Sequence, residues 1–162
     1  MMTTRWIDSP IGGLRIHVSA GLVTAIDFGA DEPRGARVAD PVLDRAEGQL
    51  SEYFSQERTS FDLPLANEGS EFQKKVWAEL HRIPFGETAS YGDIARRLGY
   101  APGISRAVGA ANGANPICII IPCHRVIGRD GSLTGFAGGL PRKQLLLELE
   151  GAVPRPQASL FD

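Results

Sequence analysis

The sequence predicts a mixed α/β protein of the α+β kind, with a sheet-and-helix N-terminal lobe and a helical C-terminal lobe. Three observations predict it. Alternation of apolar and polar residues over 4–28 gives way, from residue 41 onward, to apolar stripes at helical spacing. Ala66 to Gly69 is the best linker between the two, dividing the chain into lobes 1–67 and 68–151 with a proline-containing tail at 152–162. Charge divides at the same place: residues 1–67 carry 6 basic and 10 acidic side chains, and Lys74 to Lys143 carry 10 basic and 4 acidic. The net charge of −2 over 162 residues therefore hides an acidic lobe beside a basic one suited to a polyanion.

The elements follow in order. Turns at Ser9-Pro10-Ile11-Gly12-Gly13 and at Ala20-Gly21 cut residues 4–28 into a three-stranded meander. Asp31 to Ala39 is a polar loop, and Asp40-Pro41 is an N-cap followed by proline in the first helical turn. Val42, Leu43, Ala46, Leu50, Tyr53 and Phe54 then form one apolar helix face, and Phe61 to Leu65 returns as a strand. Ser70 caps a helix whose buried stripe is Phe72, Val76, Trp77 and Leu80, ending near Ile83-Pro84. After the turn Phe85-Gly86-Glu87, a short helix spans 91–98 and is stopped by Gly99. Pro102-Gly103 restarts a helix over 103–112, and Asn115-Pro116 breaks the chain. Ile117 to Ile121 is a short buried run, Gly128 to Gly139 a glycine-rich loop, and Pro141 starts a helix with Leu145, Leu146 and Leu149 facing inward.

Several functional classes are excluded. The longest apolar runs are too short to span a bilayer, and Met1 to Pro10 lacks the apolar core of a signal peptide, so the expected location is the cytoplasm. Two cysteines five positions apart in a reducing compartment do not form a disulfide framework. His17 and His81 are isolated and no zinc-module spacing occurs, so no metal is expected. Phosphate-loop and G-x-S-x-G signatures are missing.

Two features carry chemistry. The helices 91–98 and 103–112 have helix-turn-helix proportions, or are an ordinary antiparallel pair. The second is built from Ser105, Ala107, Gly109, Ala110, Ala111 and Gly113, with Arg106 near its start and Arg96 and Arg97 on its partner. Small side chains allow close backbone approach to a groove, and arginines hold phosphates. The other feature is Cys123, set between Pro122 and His124-Arg125, a cationic setting that favours a thiolate; Cys118 fits a buried core cysteine. Glu150 ends its helix where a carboxylate opposes the macrodipole; it is a solvated surface residue, or it orients an imidazole.

Pro122-Cys123-His124-Arg125-Val126, preceded by Asn115-Pro116 and followed by Gly138-Gly139-Leu140, resembles the O6-alkylguanine-DNA alkyltransferases. The resemblance runs from about Phe72 to Gly151, including Phe85-Gly86 and Ser90-Tyr91, and is weaker over the first 67 residues. It implies a ribonuclease H-like N-terminal lobe, a winged helix-turn-helix-like C-terminal lobe carrying the active site, and irreversible transfer of an alkyl group from flipped-out O6-alkylguanine to the protein. By the same resemblance Cys123 is the acceptor, and His124 and Glu150 activate it through a water. Tyr91 aids nucleotide rotation and protonation of the leaving base, Arg106 fills the gap in the base stack, and Asn115 braces the active-site turn. Helix 103–112 would enter the minor groove of double-stranded DNA, with Ser105, Ala107, Ala110, Ala111, Asn112, Gly113 and Arg125 among the contacting residues, and the protein would act as a monomer without a cofactor. Phe136-Ala137 departs from the Tyr-Ser version of some relatives, and the N-terminal lobe lacks the cysteines of a structural zinc site. A non-catalytic damage binder, a cysteine hydrolase and a plain DNA-binding regulator are the rival readings. They leave Cys123, the helix pair, and Cys123 with Glu150 unexplained, respectively. Gln157-Ala158-Ser159-Leu160-Phe161 is similar to the short peptides that dock bacterial proteins on the sliding clamp.

Overall fold

The meander forms as β1 (Met2–Ile7), β2 (Leu14–Ser19) and β3 (Leu22–Phe28), antiparallel in that order. The computed structural model describes residues 2–153. The β2–β3 hairpin turns through Ala20 and Gly21, at φ 52° and 76°, with Ser19 opposite Leu22. Two successive positive φ values give the turn whose twist matches the strands it joins. Leu14, Ile16 and Val18 alternate inward along β2 and meet helix α1 (Pro41–Phe54). Asp40 caps α1 by accepting from the backbone N–H groups of Val42 and Leu43, and Leu43, Ala46, Leu50 and Tyr53 are buried. Buried Arg5 ties β1 to α1 through Asp44 and Glu47.

The expected strand over Phe61 to Leu65 reduces to one bridge, Leu65 beside Val23. Val23 donates to the Pro64 carbonyl and Ala66 donates to the Val23 carbonyl, both at 2.8 Å. Pro64 has no N–H to extend a ladder. Phe61, Leu63 and Leu65 pack against the core as a strap.

Helix α2 (Glu71–Leu80) carries a reciprocal capping box between Ser70 and Gln73. A second box, Ser90 with Asp93, starts α3 (Tyr91–Arg97). A 3₁₀ turn, Pro102–Ile104, leads into α4 (Ser105–Gly113), which packs on α2 and α3. Sequence reasoning missed β4 (Ala89–Ser90) and β5 (Val126–Ile127), which pair in parallel, Ala89 with Val126 and Ser90 with Ile127. This short ladder fixes the start of α3 beside the exit of the Cys123–Arg125 3₁₀ turn.

Helix α5 (Leu140–Leu149) corrects one expectation: Leu145 is exposed. The inward stripe is Lys143, Leu146, Leu147 and the cap residue Glu150, at helical spacing i, i+3, i+4, i+7. Leu145 lies one position off that stripe. A leucine-only reading could not place it, because two of the four inward positions are charged. Among the described residues no helix is long and apolar enough to cross a membrane. The proposed clamp peptide, Gln157 to Phe161, lies outside the described residues.

Candidate active site

The chain reaches Cys123 through a tight turn. Asn115 Oδ1 accepts from the Ile117 N–H at 3.0 Å and its Nδ2 donates to the Ile121 carbonyl at 2.8 Å, so one amide clamps both ends of the 117–121 run. Ile119 sits in the left-handed region at φ 76°, unusual for a β-branched residue and held by burial on all sides. Asn112, on the inner face of α4, donates to the Cys123 carbonyl at 3.3 Å. Trp77 Nε1 donates to the Ala111 carbonyl at 2.8 Å, which locks α4 onto α2. These bonds tie α4 to the cysteine turn on one side and to α2 on the other.

His124 and Glu150 come together although 26 residues separate them, and Cys123 immediately precedes His124 in the same 3₁₀ turn. Glu150 Oε2 accepts from His124 Nε2 at 2.7 Å and from the Tyr53 hydroxyl at 2.5 Å. Arg125 donates to both carboxylate oxygens, at 2.8 and 3.1 Å. Burial pushes the Glu150 carboxyl up, but the hydrogen bonds and charges of His124 and Arg125 outweigh it and hold the group at about 2. Those donors offset the unfavourable placement of a carboxylate at a helix C-terminus. Burial lowers the pKa of His124, so the ring is neutral near pH 7. With Nε2–H committed to Glu150, Nδ1 carries the lone pair, and it is a buried nitrogen with no hydrogen-bond partner among the described residues.

The Cys123 thiol is 3% exposed and lies 3.6 Å, sulfur to sulfur, from Cys118. Its pKa is lowered, first by its hydrogen bond with Cys118, against the opposing effect of burial, and further by Asn115 and the nearby charge of Lys143. Lys143 is fully buried and its Nζ donates to the Val126 and Thr134 carbonyls, at 2.5 and 2.7 Å. Burial brings its pKa down to about 8. Sequence reasoning missed Lys143; its only signal was a cation set on the apolar stripe of α5.

Tyr91 opens α3, half-buried, with its hydroxyl 2.8 Å from Thr134 Oγ1. A Cβ added at Gly109 would stand 3.7 Å from its ring, so Tyr91 lies against α4. Arg106, Ala107, Ala110 and Gly113 are exposed and Ser105 is half-exposed, which leaves a narrow face of small residues with one arginine on the surface. Three expected surface contacts are corrected. Ala111 and Asn112 are 3% and 2% exposed because they form the face of α4 that packs inward. Arg125 is 6% exposed, bound to Glu150 and the Ile83 carbonyl and stacked 5.8 Å above Phe85, so its guanidinium is committed inside the protein.

The chain is a mixed α/β protein in which a helix pair with a face of small residues packs on a buried cysteine turn. Residues 2–67 match the family model described as 6-O-methylguanine DNA methyltransferase, ribonuclease-like domain, and residues 71–152 match the corresponding DNA binding domain. A curated relative from Mycolicibacterium paratuberculosis, a methylated-DNA--protein-cysteine methyltransferase, is 48% identical over the whole of both chains. The crystal structure of Mycobacterium tuberculosis O6-methylguanine methyltransferase is similar over all of both chains, at 48% identity and a TM-score of 0.81. A complex of the Mycobacterium tuberculosis protein with DNA matches at 49% identity over 92% of each chain, also with a TM-score of 0.81. The chain belongs to the 6-O-methylguanine DNA methyltransferase family, whose activity is DNA repair by alkyl transfer to a protein cysteine.

Proposed function

We propose that Cys123 is the alkyl acceptor and that each chain repairs one O6-alkylguanine. The observation that carries this reading is a buried cysteine in the same 3₁₀ turn as a histidine that is anchored at 2.7 Å on a buried carboxylate. The Cys123 proton passes through a water to His124 Nδ1, and Glu150 stabilises the imidazolium that results. The sulfur then attacks the alkyl carbon: the S–C bond forms, the C–O bond breaks, and the electron pair stays on the guanine oxygen. Tyr91 supplies a proton to the departing base. The thioether product is stable, so turnover stops at one.

A base inside a duplex is out of reach of a buried thiol, so it must rotate out of the stack. The exposed face of α4, with Ser105, Ala107, Ala110 and Gly113, enters the minor groove, and Arg106 occupies the space the base leaves. Arg106→Ala should slow transfer from duplex by roughly tenfold or more, because base extrusion loses its support. Reaction with a free O6-substituted guanine should keep its rate. Parallel single-turnover measurements decide it, and equal slowing on both substrates would remove Arg106 from the role. The reading also includes action as a monomer in the bacterial cytoplasm on double-stranded DNA. It includes docking of residues 157–161 on the sliding clamp, for which removal of 157–162 should abolish clamp binding in a pull-down.

A further inference from the structure

Cys118 is more than a small core residue. Its sulfur is 3.6 Å from that of Cys123 and 3.5 Å from the Asn115 carbonyl that accepts its S–H. Ile119, at φ 76°, folds the intervening segment back so that Cys118 is bridged to Ile121, whose carbonyl accepts from the Cys123 N–H at 2.8 Å. The strained turn and the Asn115 clamp therefore hold two thiols face to face at the acceptor. Sulfur atoms at this distance need to approach by roughly 1.5 Å to reach bonding length.

We propose that Cys118 and Cys123 form a reversible redox-modification site, in which Cys118 resolves a peroxide-oxidised acceptor as an intramolecular disulfide. The proposal rests on Cys123 being the reactive thiol of the site. In the first step the Cys123 thiolate attacks a hydroperoxide oxygen: an S–O bond forms, the O–O bond breaks, and hydroxide leaves to be protonated as water. In the second, the Cys118 sulfur attacks the Cys123 sulfenic acid. The S–S bond forms, the S–O bond breaks, and the Cys118 proton departs with the hydroxyl group as a second water. The pair gives up two electrons to the peroxide, and a small thiol reductant returns them. The lowered pKa of Cys123 and its neighbouring second thiol are what such chemistry requires. Transient disulfides of this type are compatible with a reducing compartment, where structural ones are not. For a protein that spends its acceptor once, the disulfide keeps an oxidised acceptor recoverable and bars transfer until reduction.

The test exposes the full chain to hydrogen peroxide, blocks free thiols, and digests with trypsin. Cleavage after Arg106 and Arg125 leaves both cysteines on one peptide, residues 107–125. The expected result is a peptide lighter by two hydrogens and unlabelled by the blocking reagent, with methyl transfer lost on oxidation and regained with dithiothreitol. In Cys118→Ser, peroxide should add two or more oxygens to Cys123, and dithiothreitol should not restore transfer relative to that variant's own untreated sample. Oxygen addition at Cys123 of the native chain without loss of two hydrogens would overturn the proposal. So would equal recovery in both chains. The native peptide mass stands even if the variant fails to fold. It is also independent of alkyl transfer, so an untreated chain that accepts no methyl would refute the acceptor role alone.

Discussion

Glu150→Ala should cost about 3–5 kcal/mol of folding stability, the usual loss when one partner of a buried ion pair is removed. The variant strands the Arg125 guanidinium, 6% exposed, and removes the acceptor of the Tyr53 hydroxyl. It also frees His124 Nε2, so the tautomer that leaves Nδ1 unprotonated is no longer enforced, and transfer should fall by roughly a hundredfold or more. Glu150→Gln separates these effects by keeping the shape and losing the charge. The Glu150 carboxyl titrates at about 2 in the folded chain against an ordinary 4.5. Its stabilisation is complete above about 4.5 and is lost as pH falls through about 2. Urea denaturation should therefore show a gap between native and Glu150→Gln chains that is widest near neutrality and closes in acid. A gap that stays constant down to pH 2 would contradict the assignment of charge to Glu150.

Cys123→Ser should abolish transfer while leaving duplex affinity within about twofold, since the exposed face of α4 makes no use of the thiol. A serine hydroxyl in the same place is far harder to ionise than a thiol, and no group in the site compensates for that. The fold should tolerate the change at a cost of about 1 kcal/mol, because a small buried polar group replaces a small buried hydrophobe. Single-turnover transfer and fluorescence anisotropy on one duplex measure the two halves of this prediction together. Residual transfer by the serine chain would move the acceptor elsewhere.

Much of this architecture was legible in local signals. Asp40 and Ser70 announce helix starts because a short side chain that accepts from the next turn acts within a few residues. Cys123 and His124 stood out because their neighbours in sequence are also their neighbours in chemistry, and Glu150 because it breaks a local rule. What stayed hidden depends on distance along the chain. Tyr53 reaches Glu150 across 97 residues, and nothing in the α1 stripe distinguishes a tyrosine with a partner from one that only packs. The β4–β5 ladder is two residues long, too short for alternation to register. Arg125 was misread as a DNA contact, since a sequence shows a cation but not whether its guanidinium is already committed. Cys118 looked like core and is core, yet its sulfur faces the acceptor, a relation fixed by the left-handed turn at Ile119.

Cys123, as proposed, takes one alkyl group and keeps it. The most direct measurement incubates the chain with excess duplex carrying a single O6-methylguanine and follows the mass of the tryptic peptide 107–125. The peptide should gain one methyl, located at Cys123 by fragmentation, and repaired duplex should stop accumulating at one equivalent per chain. Repair that continues past one equivalent, or a methyl found on any other residue, would contradict it.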